Sequence, residues 1–255
     1  MAGTLVLLRP SWEGHELSSN GPVLEGVAGP TLVRSPAHEL RVQPLEEALA
    51  SSFERLTKPG WVVATSPASA QALRGQPRLL EALGRRAQSI SWAAVGEATA
   101  QALRSVLVSM VGEVRDILYP PGVGDAQALL VELGTQPPAA VALLESVGNR
   151  AALADGLTGL GWTVTRWALY RRIPRPLVDL RAVQAPLWVL LSSSGQVRSA
   201  IDSLSAQGLR VLDVQWLTHH PAIAALLLDQ LPGASITMLA RPCEEAALAA
   251  IKLQS

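Results

Sequence analysis

Two similar α/β lobes, each built on a doubly wound parallel sheet, are predicted by three features of this 255-residue chain. Short apolar runs alternate with helix-period segments along most of its length. The strand–turn–helix stretch WVVATSPASAQAL at 61–73 returns in altered form as WVLLSSSGQVRSAI at 188–201. Two extended, proline-punctuated and arginine-rich segments, 31–44 and 164–176, interrupt the alternation. Strands alternating with helices of this length argue for parallel sheets covered on both faces.

The apolar runs fall at 4–8, 60–65, 91–95, 141–144, 187–192, 210–217 and 234–240, and each reads as a strand. Between them Leu103, Val106, Leu107 and Met110 follow the i, i+3, i+4, i+7 spacing of one helix face. Leu153, Leu157 and Leu160 nearly repeat it, as do Ile223, Leu226, Leu227 and Leu231. The internal echo extends beyond its best copy. TLVLLRPSWEG matches AVALLESVGNR as a strand entering a polar turn, and AAVGEATAQAL matches WLTHHPAIAALL as a strand, sharp turn and helix. Three matching units in one order predict two related halves. The extended segments then read as the two strands of a connector between domains. A first lobe of residues 1–37 and 175–255 is expected, with a second lobe, 38–174, inserted into it. A cleft between the lobes is the expected ligand site.

Hydrophobic residues make up 49% of the chain and mean hydropathy is +0.25, apolar but ordinary where helices cover both faces of buried sheets. No apolar run reaches the roughly 18 residues of a membrane span. MAGTLVLLRP lacks a basic leader and reads as a first strand, so no membrane partner is expected. A net charge of zero leaves no general footprint for nucleic acid. Of the 21 basic residues only Lys58 and Lys252 are lysines. Arginine's planar fork suits carboxylate or phosphate, although biased codon usage explains the skew equally well. The single cysteine, Cys243, excludes an internal disulfide, fits a reducing cytosol and reads as a packed thiol. His15, His38, His219 and His220 are too scattered for a metal cluster, so no metal is expected. No Gly-x-Ser-x-Gly elbow, Ser-x-x-Lys or phosphate loop occurs.

In a doubly wound sheet, ligands sit beyond the carboxyl ends of the strands. Thr65-Ser66-Pro67 suits that place: Ser66 can cap a helix, and Pro67 fits its first turn. Free N–H groups above such a cap offer partial positive charge to an anion. Ser192 and Ser193, followed by Gly195, repeat the arrangement with a looser turn; plain capping is the competing reading for both. Gly96 permits a tight turn, with Thr99 in the first turn of the next helix. GVGDAQALL has Gln127 where a dinucleotide fingerprint needs its third glycine, so Asp125 reads as a helix cap. Arg9, at the end of the first strand, can face a carboxylate or cap the sheet edge.

Taken in order, LVLLRP, VVATSPASAQAL, AAVGEATAQAL, YPPGVGDAQALL, ALLESVGNRAAL with ALYRR, WVLLSSSGQVRSAI and LTHHPAIAALL resemble the uroporphyrinogen-III synthase family over essentially the whole chain. Each motif is degenerate alone; their order and spacing carry the resemblance. It implies a cytoplasmic, monomeric lyase of haem and sirohaem synthesis that needs no cofactor. Its substrate is hydroxymethylbilane, closed with loss of water and inversion of the last ring. By the same resemblance Tyr170 matches the family's connector tyrosine and becomes the candidate proton donor. Thr65, Ser66, Gly96, Thr99, Ser192, Ser193 and Thr218 become candidates for substrate contact. Glu145 and Ala222 stand where relatives often carry arginine, which leaves Arg150 or backbone groups to compensate. A noncatalytic bilobed binding or regulatory protein on the same scaffold is the alternative.

Overall fold

The computed structural model describes residues 3–13, 30–45, 60–86, 89–112, 116–122, 124–241 and 243–253. His15 and the side chain of Met110 lie outside the described residues. The chain opens with β1 (Thr4–Leu7), β2 (Ser11–Trp12), β3 (Thr31–Arg34) and β4 (His38–Val42). Next come β5 (Gly60–Ala64), α1 (Pro67–Ala72), α2 (Pro77–Arg85), β6 (Ile90–Ala94), α3 (Glu97–Val111) and β7 (Ile117–Leu118). There follow α4 (Ala126–Gly134), β8 (Ala140–Ser146), α5 (Ala152–Gly159) and the long β9 (Thr163–Pro174). The last stretch holds β10 (Leu187–Leu191), α6 (Gly195–Ala206), β11 (Gln215–Thr218), α7 (Pro221–Gln230), β12 (Ser235–Met238) and α8 (Glu244–Leu253).

The chain divides into two compact units, Met1–Leu40 with Ile173–Ser255, and Arg41–Arg172. One sheet has the order β12-β11-β10-β1-β3, with every pairing parallel. The other contains β7-β6-β5-β8-β9, also parallel throughout, and continues through β4 to β2. These two five-strand orders match position for position, with β10 answering β5, β11 answering β6 and β1 answering β8. The repeated motifs therefore occupy equivalent strands.

Burial explains why the strands read as unbroken apolar runs. In the first unit alternate residues serve opposite faces of the sheet. Val6, Val189, Leu191 and Trp216 pack with Val197, Ala200 and Leu204 of α6 and Ile223 and Leu227 of α7. Their neighbours Leu5, Leu7, Trp188, Leu190 and Leu217 pack with Ala247 and Ile251 of α8. In the second unit Val63, Ala93, Val141 and Leu143 join Leu129 and Leu133 of α4, Leu153 and Leu157 of α5, and Trp162.

The sequence bounds need correction at weakly periodic ends. The strand expected at 210–217 is Gln215–Thr218, because Val211–Asp213 forms a 3₁₀ turn that leaves Leu212 exposed. At 234–240 the strand is limited to Ser235–Met238, an edge exposed at both ends and half-buried between. Leu160 lies just past α5 and is exposed, so it is no part of that helix's apolar face.

Both arginine-rich segments are extended. The chain passes from the first unit to the second within β4 and returns within β9. These strands are neighbours, flanked by bonds from Gln43 N–H to Leu169 C=O (2.8 Å) and from Arg175 N–H to Ala37 C=O (2.9 Å). The β8–β9 register slips by one residue: Glu145 faces Ala168, but Ser146 faces Tyr170. That bulge breaks the alternation of β9, so Leu169 and Tyr170 are both buried. Leu143, at the heart of the second unit's core, is 1% exposed. Leu143→Ala is expected to cost about 2–5 kcal/mol, read as a lower urea midpoint with the slope unchanged.

Candidate functional site

The chemistry-bearing residues stand at the carboxyl ends of the strands. At the end of β5, Thr65 spends its hydroxyl proton on Leu144 C=O (2.8 Å), which also accepts the Thr65 N–H (3.2 Å). Ser66 then caps α1 reciprocally: its Oγ accepts Ser69 N–H and its own N–H donates to Ser69 Oγ, both at 3.0 Å. Ser69 completes the lock by donating its hydroxyl to Ser66 C=O (2.8 Å).

Tyr170 reaches this cap from β9. Its Oη lies 3.1 Å from Ser66 Oγ and accepts a hydrogen bond from Arg172 Nη2, also at 3.1 Å. The Arg172 guanidinium carbon is 5.8 Å from the Tyr170 ring centroid, within cation–π range. Arg172 was not among the sequence candidates. Its signal is period two: residues 170 and 172 share a strand side wherever no bulge intervenes.

The matching turn after β10 is built differently. Ser194, at the N-cap of α6, makes no side-chain cap. Instead the buried Gln196 turns back: its Oε1 accepts Ser192 N–H (2.7 Å), Ser193 N–H (3.1 Å) and the Ser192 hydroxyl (3.2 Å). Its Nε2 donates to Leu8 C=O at 2.6 Å, beside Arg9. The backbone donors that the sequence offered to an anion are thus taken by a side chain of the same unit. Among the described residues the Ser193 hydroxyl makes no hydrogen bond. Gln196 could have been suspected as a polar residue on the buried face of a first helical turn.

Gly96 starts α3 without a side-chain cap, and Thr99 is buried one turn in. The loop before α4 packs tightly here. A Cβ on Gly96 would stand 3.2 Å from Gly124 Cα, and one on Gly124 would run into Val95 C=O. Asp125 caps α4 by accepting Ala128 N–H at 2.8 Å, as its sequence context suggests. At the end of β11, Thr218 is fully buried and its Oγ1 has no hydrogen-bond partner among the described residues. The Nδ1 of His219 is likewise buried and unpartnered. Burial, and to a smaller extent His220 beside it, holds the His219 imidazole below its ordinary pKa. His220 caps α7, its Nδ1 accepting Ala222 N–H at 3.1 Å. Arg9 and Arg150 are exposed, and the Arg9 charge reaches the Glu245 carboxylate. No group of three or more His, Cys, Asp or Glu side chains among the described residues could hold a metal ion.

The family model described as uroporphyrinogen-III synthase HemD matches residues 27–229. The chain belongs to the uroporphyrinogen-III synthase family. Its activity is that family's: a cyclising lyase of tetrapyrrole synthesis. Solved structures agree on the fold. A mutant uroporphyrinogen III synthase from Thermus thermophilus superimposes with a TM-score of 0.60 at 17% identity, covering 97% of this chain and 98% of that one. The Helicobacter pylori uroporphyrinogen-III synthetase gives 0.56 at 15% identity, covering 97% and 99%. No curated protein matches by sequence.

Against the family pattern, Glu145 is not a bare negative charge. Buried to 3% exposure, it accepts Arg166 Nε at 2.5 Å and Asn149 Nδ2 at 3.1 Å. Arg166 also donates to Asn149 C=O (2.8 Å), which pins the turn after β8. Ala222 is exposed at the start of α7. Gln196→Ala is expected to lower stability by about 1–3 kcal/mol, because two backbone N–H groups and the Leu8 carbonyl lose their partner. Chemical denaturation measures this.

Proposed function

We propose that the chain, with one lobe of residues 1–37 and 175–255 and a second of 38–174, cyclises hydroxymethylbilane to uroporphyrinogen III. The observation that carries this reading is the cluster at the end of β5, where Tyr170, Ser66 and Arg172 meet at 3.1 Å. The substrate bears an acetate and a propionate on each of four pyrroles, yet this protein has no net charge. Neutral donors meet that demand without burying lysines at a large desolvation cost. Supporting groups are the uncapped start of α3 at Gly96 and Thr99, the hydroxyl of Thr218, unpartnered among the described residues, and the hydroxyls of Ser66 and Ser193; those of Thr65 and Ser192 already donate to Leu144 C=O and Gln196 Oε1. Arg9 and Arg150 add exposed positive charge at two strand ends.

The reaction needs little acceleration and much steering. The hydroxymethyl group leaves as water, forming an azafulvene. The substituted carbon of the last ring attacks it, and the resulting spiro intermediate reopens and recloses with that ring inverted. The linear chain also closes unaided without inversion. A 99:1 preference between the two routes requires about 2.7 kcal/mol of barrier difference. Holding the last ring in the inverted pose supplies that through orientation, and a hydroxyl donor of the Ser66–Tyr170 cluster assists the leaving hydroxyl.

The enzyme works, on this reading, as a monomer in a reducing cytosol. Its single cysteine is free, and among the described residues no helix is long and apolar enough to cross a membrane. The test is product composition. With freshly generated hydroxymethylbilane, the oxidised product is expected to be mainly the type III porphyrin; type I alone would mean a noncatalytic protein. Tyr170→Phe is expected to lower kcat about 10- to 100-fold, at or below the low end of general acid catalysis, with residual type III product. Unchanged kinetics would remove Tyr170 from the mechanism.

A further inference from the structure

We infer that Ser66 is the residue that delivers the proton to the leaving hydroxyl, while Tyr170 acts through it as a positioning and proton-supplying residue anchored by Arg172. The inference rests on the activity proposed above and concerns which atom meets the substrate.

Hydrogen-bond polarity makes the case. A guanidinium has no acceptor, so in the Arg172–Tyr170 contact at 3.1 Å the phenol oxygen must accept. A backbone N–H has no acceptor either, so Ser66 Oγ must accept from Ser69 at 3.0 Å. Only the Ser66–Tyr170 contact, at 3.1 Å, can run in either direction. If the phenol donates, Ser66 Oγ accepts two bonds and its own proton is turned outward from a half-buried residue. If serine donates instead, the transferable proton stays on Tyr170, which is 0% exposed and presents no surface to a ligand. The first polarity links Arg172, Tyr170 and Ser66 into a directed chain whose last hydroxyl is the accessible one.

The proton transfer then balances. The carbon–oxygen bond of the hydroxymethyl group breaks with its electron pair leaving on oxygen. Ser66 gives its proton to that oxygen, completing water. Tyr170 passes its phenolic proton to Ser66 Oγ, so serine ends neutral. The pyrrole nitrogen lone pair stabilises the carbon left behind as an azafulvenium cation. The matching negative charge rests on the tyrosinate, next to the Arg172 guanidinium. When the spiro intermediate has reopened and the unsubstituted carbon of the inverted last ring has closed the macrocycle, that carbon loses its proton to restore the pyrrole, and the proton returns through Ser66 to the tyrosinate.

Four variants test the assignment by steady-state kinetics and isomer analysis: Ser66→Ala, Ser66→Gly, Ser66→Thr and Ser66→Ala combined with Tyr170→Phe. Ser66→Ala and Ser66→Gly should each lower kcat by the same factor as Tyr170→Phe, about 10- to 100-fold, with KM little changed. The double variant should lose no more than either single one, since one relay is broken in each case. Ser66→Thr, which restores the hydroxyl, should recover most of the loss. Glycine caps helices nearly as well as serine. A fall in kcat for Ser66→Gly with an unshifted melting temperature therefore separates proton delivery from capping. If either single substitution leaves kcat unchanged, or the two losses multiply in the double variant, the assignment is overturned while the enzyme reading stands. Exclusively type I product from the wild type would sink the parent reading instead.

Discussion

A strand buried on both faces has nowhere to show polarity except at its ends, and that constraint organises both units. β1 and β10 are buried throughout, and β5 and β8 nearly so. Where these strands stop, backbone groups that the sheet no longer pairs must find partners before the helices begin. Each turn answers with side chains at fixed offsets: Ser69 three residues after Ser66, Gln196 four after Ser192, His220 two before Ala222. The polar chemistry available to a ligand is what remains after this internal demand has been met. That is why hydroxyls and one uncapped helix start, rather than a row of open backbone donors, form the candidate site.

The fold was largely legible because its signals are long and repeated. The echo of WVVATSPASAQAL in WVLLSSSGQVRSAI falls on β5–α1 and β10–α6, which hold equivalent places in two sheets of the same order. The two-residue strands β2 and β7 carry too few residues for any period to appear. Individual site roles were harder to read. Thr65 and Ser66 are adjacent hydroxyl residues, yet one gives its proton to a carbonyl across the sheet and the other stays near a phenol. Nothing local distinguishes them; the difference depends on Leu144 and Tyr170, which lie 79 and 104 residues away along the chain. The bulge that turns Tyr170 inward also has no clear mark in ALYRR, where alternation alone would bury only one of Leu169 and Tyr170.

Arginine usage looks different once its partners are known. Arg34 pairs with Glu244, Arg166 with Glu145, Arg175 with Glu39, and Arg181 with Asp179. Two of those carboxylates, Glu39 and Glu145, are buried, and an unpaired charge there would be strongly destabilising. Exposed pairs such as Arg181–Asp179 contribute only about 0–1 kcal/mol each. Much of the arginine excess is therefore committed to the protein's own acids, which weakens the skew as a sign of an anionic ligand. Glu145 shows this best: what looks like a lost positive contact is a carboxylate already neutralised by the neighbouring strand.

The strand order also bears on how the chain is completed as it leaves the ribosome. Thr4 lies beside Leu187, so β1 must wait for nearly three-quarters of the polypeptide before its central neighbour exists. The strands β5 to β9 come from one uninterrupted stretch and can assemble while the tail is still being translated. A truncation after residue 186 would strand the N-terminal segment with only the short β3 to shield it, exposing Leu5 and Val6 to whatever apolar surface they meet first.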